Sequence, residues 1–140
     1  MPVEYAFFDD PALICIRYDG HIFADDLIDA ATRFSREMAE YSCHPHFFDF
    51  SKVTGYTIDH TKFMSFMALL ADIYPTRRDE QLFVFYAPPG APAEMAEMAR
   101  RPWEGNCQIL IRIAETRAHA LDILGGSRHQ LRDHLAAFTS

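Results

Sequence analysis

Little in this chain announces a specialised chemistry. Its 140 residues include three cysteines, Cys15, Cys43 and Cys107, an odd number with no CxxC pair. That usage fits thiols kept reduced and excludes a disulfide framework as the organising device. The GxSxG elbow of serine hydrolases, the Walker phosphate loop and the GxGxxG dinucleotide fingerprint are all missing. Gly125-Gly126 follows an expected helix instead of joining a strand to one, so it is no phosphate loop. Positive charge is scarce. The formal net charge is -7, and residues 1–70 hold eleven Asp or Glu against five Lys or Arg. Such a surface repels phosphate backbones and anionic lipid, which argues against nucleic acid as a partner. The basic doublets Arg77-Arg78 and Arg100-Arg101 fall near expected helix ends, where cations complement the helix dipole. Long hydrophobic runs are missing too. The most apolar helical stretch, Phe63 to Tyr74, contains Asp72 and falls short of the roughly twenty residues of a membrane span. The opening MPVEYAFFDD has no basic region followed by an apolar one, so no signal peptide and a cytoplasmic protein are expected.

What is abundant is core-forming material. Hydrophobic residues make up 49% of the chain and twelve are Phe, which excludes a disordered composition. No repeat, low-complexity tract or linker divides the sequence, so residues 1–140 are expected to form one domain. Val3–Phe8 and Ala12–Tyr18 read as an antiparallel hairpin across Asp9-Asp10-Pro11, ended by Asp19-Gly20. Phe23–Tyr41 is the clearest helix, with Phe23, Leu27, Ala31, Phe34, Met38 and Tyr41 on one stripe. His46–Ser51 is a third strand, and Lys52–Thr57 a loop around Gly55. Asp59 caps a second helix with Phe63, Phe66, Met67, Leu70 and Tyr74 inward, and Pro75 stops it. Gln81–Tyr86 is apolar without alternation, the mark of a central strand covered on both faces. A helix over Ala93–Arg101, a strand over Cys107–Ile113 and two helices, from Arg117 and from a Ser127 cap, complete the chain. The order β-β-α-β-α-β-α-β-α-α predicts an α/β fold: a mixed five-stranded sheet opened by an antiparallel hairpin, with helices packed on it.

Three places invite a chemical reading. Cys43-His44-Pro45-His46 offers soft metal ligands, but zinc sites take four and the spaced second pair is absent. Cys43 with a neighbouring histidine is also the one conceivable nucleophile and base, provided a cleft supplies a further polar group. His21, His119, His129 and His134 are scattered. No catalytic residue, metal or cofactor is assigned. The third place is the segment from Asp49 to Thr61, which leaves the carboxyl end of a central strand and opens a helix. In open α/β sheets that end is where ligands and partners are read. Asp49, Ser51, Lys52, Thr54, Tyr56, Asp59, His60 and Thr61 are its candidate contact residues.

The order of elements, the Tyr18-Asp19-Gly20 turn and Asp49-Phe50-Ser51-x-Val53-Thr54 followed by Ile58-Asp59 resemble the STAS/SEC14-like superfamily. Within it the chain looks most like the SpoIIAA-like branch of small bacterial proteins, and the end Ala120-x-Asp122-Ile123-Leu124-Gly125 fits as well. The resemblance covers nearly the whole chain. In the anti-sigma factor antagonists of that superfamily, an Asp at this helix start precedes a serine that a partner kinase phosphorylates. Asp59 matches the Asp, but His60 and Thr61 stand where Ser-Ser-Gly is usual, so no phosphosite is carried over. The resemblance implies a non-catalytic regulatory or protein–protein interaction module, with Tyr56 and Phe63 as aromatic anchors. A homodimer through the terminal helix is a variant of this expectation. The alternative is a small-molecule or lipid carrier, which requires an apolar cavity of a few hundred Å³ between the second helix and the sheet.

Overall fold

A computed structural model describes residues 2–9, 12–38, 44–74, 80–104, 108–125 and 129–139. Strands β1 (Val3–Asp9) and β2 (Ala12–Phe23) form the antiparallel hairpin. Then come α1 (Ala24–Met38), β3 (His46–Thr57), α2 (His60–Ile73), β4 (Gln81–Tyr86), α3 (Ala91–Arg100), a 3-10 turn at Arg101–Trp103, β5 (Ile109–Ala114), α4 (Arg117–Ile123) and α5 (His129–Thr139). The five strands lie in chain order, β1-β2-β3-β4-β5, and β2 to β5 are parallel. The expected mixed sheet with its opening hairpin is therefore the observed one. Among the described residues no helix is long and apolar enough to cross a membrane.

Strand order decides where the helices go. Parallel strands added always to the same side, through right-handed crossovers, place every crossover helix on the same face. Thus α1, α2 and α3 share one face, with Leu27, Phe34, Ile73 and Met95 packed against Ile14, Ile16, Phe50, Phe83 and Phe85. The chain left after β5 covers the other face, where Ala120 of α4 and Leu135 of α5 meet Leu13, Cys15, Phe47 and Val84. The period of two divides β3 cleanly: His46 and Phe50 point to the crossover helices, Phe47 to the opposite face. Arg17, on the α5 side, donates to the Phe138 carbonyl at 2.7 Å and pairs with Glu4, fastening α5 to the hairpin.

The ends of β2 and β3 differ most from the sequence expectation, and one glycine explains both. Asp19-Gly20 does not end the second strand. Gly20 takes φ +81, a left-handed conformation that L side chains rarely adopt, and the register shifts there without the pairing being lost. β2 then runs on to Phe23 beside β3, so Lys52–Thr57 is strand and not loop. The continuation also moves Phe23 out of the helical stripe. Ile22 is fully buried, whereas Phe23 is 52% exposed and its N–H donates to Asp26 at the start of α1. A Cβ at Gly55 would lie 3.0 Å from the His21 ring, so a larger residue there would require that side chain to shift. The expected roles of Tyr41, Pro75 and Ser127, and the Arg77-Arg78 doublet, fall outside the described residues.

Truncating Phe50, fully buried against Tyr18 and Phe85, is expected to cost about 3–5 kcal/mol as Phe50→Ala. Met64→Ala, on the exposed side of α2, should change stability by no more than about 0.5 kcal/mol. Urea unfolding measures both, and equal losses would contradict this placement of the core.

Candidate functional site: an apolar cavity under the second helix

Helix α2 is the loosest of the three crossover helices. Its backbone lies closest to α1 and approaches no strand as closely as α3 approaches β3. Side-chain size accounts for the difference. α3 presents Ala96 and Pro92, both buried, and small groups let backbones approach. α2 presents Phe63, Phe66, Leu70 and Tyr74, which hold it away, and Ile73 alone of its residues is fully buried. Small residues on the flanking helices, Ala30 and Ala31 on α1 and Ala99 on α3, do not fill the space that results. An apolar cavity of about 80 Å³ remains, floored by the sheet aromatics Tyr18, Phe48, Phe50, Phe83 and Phe85 and partly open to solvent. At roughly 24 cal/mol per Å³ of void, it forgoes about 2 kcal/mol of packing. That is a sizeable fraction of a net stability on the order of 10 kcal/mol.

The polar atoms at this cavity are few and ordered. His46, at the head of β3, is fully buried among Phe34, Phe48, Tyr74 and Phe83. Its Nδ1 lies 2.6 Å from the His44 carbonyl oxygen and its Nε2 2.7 Å from the Tyr74 hydroxyl. A carbonyl only accepts, so Nδ1 carries the ring proton and Tyr74 donates to Nε2. Burial holds the imidazole neutral, lowering its pKa from 6.5 to about 3. Tyr18, stacked on Phe50 with ring centroids 4.7 Å apart, is also buried, and desolvation pushes its phenol far above the usual range. Tyr5 sits at the hairpin side of the cavity and donates to Glu37 at 2.8 Å, with burial and that bond raising its pKa to about 12.

The residues singled out between Asp49 and Thr61 do not converge on a site. Asp49 is buried and accepts from the Ser51 N–H and hydroxyl, a local turn-like bond within the strand. Lys52 and Thr54 are exposed along β3, and Tyr56 is half-buried against the core. Asp59 caps α2 as expected, accepting from the Lys62 N–H at 2.8 Å, with His60 and Thr61 exposed on the first turn. Lys62 in turn bridges to Asp25 of α1 at 3.0 Å. Of the Cys-His-Pro-His cluster, Cys43 lies outside the described residues, as does Cys107. Both nitrogens of His46 are engaged, which leaves it no lone pair for a metal. Cys15 is buried and its thiol is pushed up to about 12 by desolvation and the nearby Asp49 charge, an inert setting.

The sequence reading placed Tyr18 at the end of a strand without a role, and weighed His46 only as a possible metal ligand or base. The signal for His46 was a polar residue heading an otherwise aromatic strand segment. No family model, curated protein or solved structure matches the chain.

The buried imidazole makes stability depend on pH. Above about 6.5 neither folded nor unfolded His46 is protonated and its contribution is complete. Between 6.5 and about 3 the unfolded chain binds a proton that the folded one refuses. Stability should then fall by about 1.4 kcal/mol for each pH unit of acidification. Urea unfolding over this range should show the slope reduced by one proton in His46→Phe/Tyr74→Phe, a pair that leaves no unpaired hydroxyl. An unchanged slope would contradict the neutral imidazole.

Proposed function

We propose that this chain binds a small apolar molecule in the cavity between α2 and the sheet. The carrying observation is the unfilled aromatic space beneath a helix that its own bulky side chains hold off the sheet. Ordinary cores pack to crystal-like density, and a void of this size in one is a cost without a return unless something fills it. The space is smaller than the few hundred Å³ expected of a ready-made pocket. Occupancy therefore involves outward movement of α2, which is fastened mainly to α1 and through the Asp25–Lys62 ion pair. An exposed pair of this kind is worth no more than about 1 kcal/mol, so it restrains α2 only weakly.

A second reading has its own support. The exposed large hydrophobics Phe23 and Met64 flank the Asp25–Lys62 pair along the chain, at the end of the fold where Thr61 opens α2. The resemblance to the SpoIIAA-like branch makes this surface a docking place for a protein partner in a cytoplasmic regulatory module. The two readings share α2, since a ligand that moves it would also reshape the surface.

Native mass spectrometry of the protein from its own host tests the first reading. A discrete small mass lost on denaturation is expected. Ala31→Leu and Ala99→Leu, which fill the cavity from two helices, should weaken binding of a neutral apolar dye by about tenfold or more, the factor for about 1.4 kcal/mol. Stability should hold or rise by about 0.5–2 kcal/mol in both. Dye binding unaltered in both variants would place the site elsewhere.

A further inference from the structure

The cavity's chemistry restricts what it can hold. No Asp, Glu, Lys, Arg or His is among the residues lining it. A carboxylate or ammonium placed there would lose its hydration without a counter-charge, at a cost that excludes it. Glu37 and Arg33 engage Tyr5 at the hairpin side, the first through its hydroxyl and the second over its ring. They have opposite sign and offer an ion no net attraction. The ligand is therefore neutral.

Three phenols line the cavity, and Tyr5 has committed its proton to Glu37. Tyr74 has committed its proton to His46, so its oxygen can only accept a further bond. Tyr18 is more than nine-tenths buried, and its hydroxyl has no hydrogen-bond partner among the described residues. That hydroxyl is left free to donate and to accept. A hydrocarbon leaves the Tyr18 hydroxyl unanswered, whereas a ligand oxygen answers it by accepting its hydrogen. Volume sets the rest. A cavity of about 150 Å³ admits benzene, so at about 80 Å³ even one ring requires α2 to yield, and an acyl chain requires far more. The walls are ring faces and edges, as in the Phe48–Phe85 contact at 5.0 Å and 74°.

We propose that the ligand is a neutral single-ring molecule whose oxygen accepts a hydrogen bond from Tyr18, an inference that rests on the cavity being the binding site. Trp103, the one tryptophan of the chain, lines the cavity, and its emission reports occupancy. The test titrates cyclohexane, cyclohexanol and cyclohexanecarboxylate into the full-length protein and into Tyr18→Phe, which removes only the unpaired hydroxyl and should fold at least as stably. Cyclohexanol should lose about tenfold in affinity in Tyr18→Phe while cyclohexane loses nothing. The carboxylate should not bind at concentrations where the alcohol saturates. If both neutral probes bind and Tyr18→Phe treats them alike, the hydroxyl contact is wrong and the cavity site stands. Preference for the carboxylate would overturn the neutral ligand. If neither neutral probe changes Trp103 emission or competes with the dye, the cavity site itself fails.

Discussion

Four parallel strands laid down in chain order leave the crossover helices no choice of side. Each right-handed connection delivers its helix to the face that received the previous one, so α1, α2 and α3 must share a single surface. Three helices on one face of a five-stranded sheet compete for contact with it. α3 wins close approach to β3 through Ala96, and α1 buries Leu27, Ala30 and Phe34. α2 is left resting on its own aromatic ridge. The cavity is the geometric remainder of that competition, and the proposed ligand site follows from it.

The opposite face shows what happens without the competition. α4 and α5 come after the last strand and are free to settle against Leu13, Cys15, Phe47 and Val84. Small residues, Ala114 and Ala120, sit fully buried at that contact, and Arg17 ties the end of α5 to the hairpin. The two faces of one sheet thus differ in packing for a topological reason. One is closed by late helices and supports the fold, and the other is shared by crossover helices and retains room.

His46 links the two levels. Its burial is tolerable because both ring nitrogens are hydrogen-bonded, one to the backbone just before β3 and one to the end of α2. It thereby ties the C-terminal end of α2 to the sheet, while the other end of the helix is held by an exposed ion pair and by partly buried side chains such as Phe66. Movement of α2 would accordingly pivot about Tyr74, which keeps its acceptor oxygen in place as the cavity opens. The same hydrogen bond that fixes the hinge also fixes which hydrogen-bonding role Tyr74 can offer a ligand.

Local chemistry alone determined much of this molecule. Periodicity two and periodicity three to four, with Asp59 as cap, mark the elements and their order, because each is written in side chains a few residues apart. The continuous apolar run Gln81–Tyr86 marks a central strand for the same reason. Gly20 defeats that logic: Asp-Gly ends a strand in most contexts, and only pairing with β3 lets a positive-φ glycine become a bulge and carry β2 on to Phe23. That single event turned an expected contact loop into strand and scattered the residues from Asp49 to Thr61 over two faces. The cavity was equally illegible. A stripe of Phe63, Phe66, Leu70 and Tyr74 reads the same whether it fills a core or props a helix above a void. The difference lies in how far α2 stands from strands that are distant in the chain, a distance set by three helices sharing one face, which no local pattern encodes.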